Sequence, residues 1–311
     1  LSRILNSSAG RLLSLCLVLL ALAFLLREVL AGGIDHLLAA LAGLDVVVVL
    51  LAASIYGGSL AILGYAWGRC AARLAGEGAS CIGPALRIYA LTTLAKYLPG
   101  NVFHYAGRQL AAVRCSWPQR AVAQATLYEI VLHVAVVGTM MLVLLPMVEL
   151  PAEVMAGGRS LLAGHDGVLL FAALLLLAVA AVACRRPLRR MIEEIKGALP
   201  SLLLLQTAFF VISLLMHLWL ASSMSLLTNG DIALFAVAFL AAWLAGFVVP
   251  GAPGGLGVRE AVLVAFLSAY LPTADVLAFA VASRLVTTLG EVVFAIGASL
   301  FISPDRAIGR A

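Results

Sequence analysis

Charge-free apolar runs such as Leu12 to Leu26, Val46 to Tyr65 and Val168 to Ala183 set the first limit on what this chain can become. A bilayer core about 30 Å thick takes roughly 20 helical residues, and these runs have or approach that length. A membrane barrel would instead need short strands of alternating polarity. Hydrophobic residues make up 64% of the 311 and charged ones 11%, too little polar surface for a water-soluble globule of this size. The expected fold is an all-α polytopic membrane protein.

Full spans are expected near residues 12–31, 45–67, 118–148, 167–184, 199–222 and 276–302. The first reads as an uncleaved span rather than a signal peptide, because membrane character continues after it. Two further apolar regions, 84–115 and 232–270, are broken by Tyr97-Leu98-Pro99-Gly100-Asn101 and by Val249-Pro250-Gly251-Ala252-Pro253-Gly254-Gly255-Leu256-Gly257. Proline removes a backbone donor, so such breaks tolerate membrane depth only where they are buried or line a polar cavity. Both regions read as re-entrant helical hairpins. The expected layout is six full spans plus two hairpins, or eight spans if every arm crosses.

Positive charge is retained on the cytoplasmic side of a bacterial inner membrane. Fourteen of the 20 basic residues fall on one side of this layout: Arg3, Arg11, Arg69, Arg73, Arg87, Arg114, Arg120, Arg185, Arg186, Arg189, Arg190, Lys196, Arg306 and Arg310. Only Arg27 and Arg159 fall on the other, which places both termini in the cytoplasm. Each half then holds an odd number of crossings, so residues 1–155 and 156–311 read as inverted repeats within a single membrane domain, with hairpin tips able to meet inside the bilayer. The five cysteines, Cys16, Cys70, Cys81, Cys115 and Cys184, form no paired motif and read as free thiols.

Seven charged residues remain at membrane depth: Lys96, Arg108, Arg259 and Arg284 against Glu129, Glu260 and Glu291. Each costs about 2.5 to 3.5 kcal/mol at a helix centre on insertion scales, so they must be paired, hydrated or bound to a charged ligand. Pairing alone leaves one cation over, which a single lipid phosphate would balance. Arg284 and Glu291 lie two turns apart on one helix face, with Thr287 and Thr288 between them, and His104 stands one turn before Arg108. Arg259 and Glu260 begin the arm after Gly254-Gly255-Leu256-Gly257, a helix N-terminus suited to anions. Glu129 and Glu291 are candidates for charge pairing or a proton relay. Glu129, His133 and His217 lack a further ligand, so neither a metal nor another cofactor is expected. The Arg185 to Arg190 cluster serves topology or headgroup binding. Aromatic residues such as Tyr56, Tyr89 and Trp243 read as packing and interface anchors.

The run from Lys96 to Asn101 with Arg108 and Glu129, followed by Pro250 and by Gly254 to Glu260, resembles the lysylphosphatidylglycerol synthase transmembrane family. The resemblance covers almost the whole chain and implies a role in moving lipids between leaflets. In founding members this membrane domain flips aminoacylated phosphatidylglycerol made by an attached soluble synthase domain. No such domain follows the last span here, so a stand-alone member without lipid synthesis is expected. By the resemblance, Lys96, Arg108, Arg259 and Glu260 are motif positions, and Arg284 joins them on the charge argument. Expected partners are an anionic phospholipid or a polyprenyl-phosphate-linked lipid, and homo-oligomerisation stays open. A non-transporting assembly partner and a membrane-embedded lipid enzyme are the rival readings. The net charge of +5 reflects topology and gives no reason to expect nucleic acid.

Overall fold

The computed structural model describes residues 42–76, 82–97, 103–113, 117–148, 186–227, 232–249, 253–268 and 270–302, and all structural statements concern these. They form helices α1 (Val46–Ala75), α2 (Ile82–Thr93), α3 (Phe103–Val113), α4 (Gln119–Leu144), α5 (186–195), α6 (Leu199–Ser223), α7 (Ile232–Val248), α8 (Val258–Leu267) and α9 (Thr273–Phe301). Short 3-10 turns extend α2 through Leu94–Tyr97 and α4 through Leu145–Met147, and a third, Pro253–Gly255, precedes α8. No strand occurs among the described residues. The expected spans 12–31 and 167–184, and the break residues Pro99, Gly100 and Pro250, lie outside them.

The described residues are all-α, and α1, α4, α6 and α9 have the length and hydropathy of membrane spans. Asp45 starts α1 by accepting the Val47 amide at 2.7 Å, and Gly76 ends it at φ 74°, a left-handed turn that suits glycine. Helix α4 with its 3-10 extension, α6 and α9 match the expected spans within three residues, whereas α1 runs on to Ala75, past the expected end at 67, and stops at the left-handed Gly76. Leu142, Leu204 and Leu300 point outward, each at least 70% exposed, as befits lipid-facing surfaces.

Helix α1 is the axis of the bundle, packed most extensively on α9 and then on α6, α2 and α4. Its crossing with α9 depends on two glycines. A Cβ on Gly57 would lie 2.5 Å from the Gly290 carbonyl oxygen, and one on Gly290 would lie 2.6 Å from that of Ala53. Small residues allow this backbone approach, which replaces the hydrophobic drive that lipid cannot supply.

Of the helices in the two broken regions, α2 packs on α1 and the others on the surrounding helices. Helix α3 has 11 residues and α8 has 10. At 1.5 Å per residue these reach only about 16 Å, half of a bilayer core. Helix α2 packs on α1 and α9, α3 on α2 and α4, α7 on α8 and α4, and α8 on α7 and α9. The edges of the breaks meet: a Cβ on Gly254 would lie 3.1 Å from the Tyr97 ring, and the Tyr97 and Thr288 hydroxyls are hydrogen-bonded at 2.9 Å.

Candidate functional site

Three ion pairs consume the three carboxylates at depth. In the first, Arg108 of α3 donates to Glu129 Oε2 of α4 while the Tyr89 hydroxyl of α2 donates to Glu129 Oε1 at 2.6 Å. The Arg108 guanidinium also lies 3.8 Å from the Tyr89 ring centroid and 5.5 Å from that of Trp67. Trp67 is held in turn by donating to Thr126 at 3.1 Å. Arg108 and Glu129 are both more than nine-tenths buried, a desolvated pair in which both carboxylate oxygens are bonded while the buried Arg108 Nε has no hydrogen bond.

The other two pairs tie the breaks to α9. Lys96 donates to Glu291, whose side chain is wholly buried by the close α1 crossing. Arg284 donates to Glu260 at 2.6 Å and to the Gly254 carbonyl at 2.7 Å, so one guanidinium holds both the glycine turn and the start of α8. Gly254, Gly255 and Gly257 have φ of 57°, 76° and 81°, left-handed values that glycine adopts freely. Arg284 and Glu291 share a helix face yet pair with different partners, and neither bonds the other.

Arg259 is the remaining cation. Among the described residues it has no carboxylate partner, and its buried Nε lacks a hydrogen bond. Its guanidinium carbon lies 5.8 Å from the Trp243 ring centroid. Its stem presses on the backbone of α7, where a Cβ on Gly246 would overlap Arg259 Cγ and lie 2.7 Å from Nε. Guanidinium stays charged at any physiological pH, so this cation cannot escape its position by losing a proton.

Arg259 borders a cavity of about 720 Å³ of non-atom space, counting its open mouth. Lys96, His104, Arg108, Glu129 and His133 give it a polar side, and Leu60, Phe209, Trp243 and Phe247 an apolar one. Among the described residues its lining holds three cations and a single carboxylate, a field that favours anions. His133 Nδ1 faces the Glu129 carbonyl at 2.7 Å and must therefore donate to it, leaving Nε2 as the basic nitrogen.

A second, smaller cavity lies on the other side of Tyr56, Trp243 and Arg259, the three residues that line both. Along α6, Phe209 belongs to the first and Ser213 and His217 to the second; along α7, Phe247 belongs to the first and Phe239 to the second. The two are thus offset along the bundle axis, spanning about 12 Å from Phe209 to His217 at the helical rise.

The structure thus brings Lys96, Arg108, Glu129, Gly254 and Arg259 to the first cavity, and Glu260 and Arg284 to the second beside Arg259. Glu291 and Gly257 line neither and act through the elements they hold. Sequence reasoning missed Tyr89 as a ligand of Glu129, Trp243 as a wall of both cavities, and Gly246. The signal for Gly246 was present only as a glycine in an otherwise bulky apolar run. No known protein family and no curated protein matches the chain.

Proposed function

We propose that the chain moves an anionic, phosphate-bearing lipid or lipid-linked headgroup between membrane leaflets. The observation that carries this reading is Arg259, the cation left after Glu129, Glu260 and Glu291 are each paired, standing at the wall of a cationic cavity. A phosphate there would complete the charge balance and replace the missing hydrogen-bond partner. Arg259 is the principal ligand, with Lys96 and Arg108 lining the same space, while Glu129 and Glu291 orient their cations. Acyl or prenyl chains remain in the bilayer.

The second cavity supports transport over static binding, since an anion held by Arg259 has polar space on both sides of it. Re-entrant hairpins, inverted repeats over residues 1–155 and 156–311, and cytoplasmic termini in a bacterial inner membrane complete the proposal. The resemblance to the lysylphosphatidylglycerol synthase transmembrane family agrees with it and leaves the headgroup open.

The test is leaflet exchange of fluorescent phosphatidylglycerol, its lysyl form and a polyprenyl phosphate in proteoliposomes. Exchange of one lipid by the native chain, lost in Arg259→Ala, supports the proposal and names the substrate. A folded chain that exchanges none of them overturns it in favour of an assembly partner or a lipid enzyme.

A further inference from the structure

Helix α5 offers a surface that the cavity does not explain. It is amphipathic in three sectors rather than two. Met191 and Ile195 are buried against the bundle, at 4% and 0% exposure, whereas Leu188 and Ile192, one turn apart, are 42% and 40% exposed. Beyond them lie the exposed cations Arg186, Arg189, Arg190 and, in the following turn, Lys196. The acidic residues of the helix are already engaged. Glu193 accepts from Arg189 at 3.3 Å, and Glu194 is turned to α4, accepting from Gln124 at 3.1 Å and from the Tyr128 hydroxyl.

These bonds hold α5 at the end of the bundle where α1 finishes and α4 begins. Arg73 of α1 reaches the same place, its Nη2 lying 3.6 Å from a Cβ built on Gly197. The chain then turns over residues 196–198 and enters α6, whose outward Leu204 marks a lipid-facing flank. A helix at this level, with exposed leucine and isoleucine between a buried edge and a cationic edge, has the pattern of an element lying in the headgroup region.

We propose that α5 is a binding surface for the anionic headgroup layer of the bilayer in which the protein sits. Leu188 and Ile192 enter the acyl boundary, and Arg186, Arg189, Arg190 and Lys196 meet lipid phosphates. Charge complementarity selects this occupant, because Arg189 offsets the exposed Glu193 and α4 engages Glu194, leaving Arg186, Arg190 and Lys196 as an outward excess of cations among the described residues. The proposal does not rest on transport through the cavity.

The test uses the purified full chain, incubated in detergent with equal phosphatidylcholine and phosphatidylglycerol, and counts retained lipids by mass spectrometry. Native protein should enrich phosphatidylglycerol, and the enrichment should fall as salt is raised. Two variants, Arg186→Gln with Arg189→Gln and Arg190→Gln with Lys196→Gln, each keep two of the four cations. Each should lower the enrichment roughly fivefold or more with helicity unchanged. Arg259→Ala should remove at most the lipid held in the cavity and leave the salt-sensitive part of the enrichment. Salt-insensitive enrichment, unaltered enrichment in both variants, or loss in Arg259→Ala alone would overturn the proposal, the last by assigning the bound lipid to the cavity.

Discussion

Arg108 and Arg259 line one cavity and meet opposite electrostatic conditions. Arg108 has a buried carboxylate, a tyrosine face and a tryptophan around it, and Glu129 has both oxygens occupied. Both arginines have a buried Nε without a hydrogen bond, but Arg259 faces Trp243 and a glycine backbone and, among the described residues, no carboxylate. A buried charge satisfied by the protein is part of the fold. One without a counter-charge costs stability unless something from outside supplies it, so under the proposed function the difference would separate a structural arginine from a binding one.

Removing each arginine tests that distinction most directly. Arg108→Ala strands Glu129 in a buried site, and the expected loss is about 3–5 kcal/mol of unfolding free energy. Arg259→Ala strands no carboxylate, so denaturant unfolding of the purified chain should show little loss, or a small gain, while lipid exchange disappears. An equal cost for both would mean that Arg259 has an internal partner and would dissolve the comparison. Replacing Arg108 and Glu129 together with leucine should recover much of the single-variant loss, since no charge is then left unpaired.

How much of this was legible in the sequence follows from what each cost depends on. Burying a charge in a membrane is expensive wherever it happens, so the seven charges and the surplus of one cation could be counted from spans alone. Which cation is in surplus could not. Arg284 and Glu291 sit on one face of α9 and look like partners, but the residues flanking the two breaks reach them first: Lys96 takes Glu291 and Glu260 takes Arg284. Pairing is a tertiary choice that helical spacing does not encode. Tyr89 was invisible for a related reason, as a tyrosine in an apolar helix reads as an anchor until its hydroxyl is seen on Glu129. The four long helices were readable because hydropathy over their length leaves no other environment for them.

Gly246 sharpens the comparison at an intermediate scale. A methyl there collides with the Arg259 stem, overlapping Cγ and lying 2.7 Å from Nε, and Gly255 packs on the same backbone, where its own Cβ would lie 2.9 Å from Gly246 Cα. Overpacking of this kind costs about 1–3 kcal/mol. Gly246→Ala should therefore lose both stability and exchange by displacing Arg259. Gly138 of α4 has nothing within 4 Å of a built Cβ. Gly138→Ala should be neutral or stabilising by about 0.5–1 kcal/mol, the helix-propensity difference. If both substitutions behave alike in thermal unfolding, Arg259 is not held by close packing on α7.

The smallest effect concerns how complete the Arg108 site is. Tyr89→Phe keeps the ring under the guanidinium and deletes only the hydroxyl that donates to Glu129. One hydrogen bond to a charged acceptor contributes about 1.5–3 kcal/mol, and Arg108 stays to hold the other oxygen, so a cost toward the lower end is expected. Lipid exchange should persist, because the cavity keeps its cations and its shape. Were Tyr89→Phe to abolish exchange while leaving stability unchanged, the hydroxyl would belong to the transport machinery rather than to the fold. Arg108 and Arg259 would then be two parts of one binding site, and the division between a structural and a binding arginine would fall.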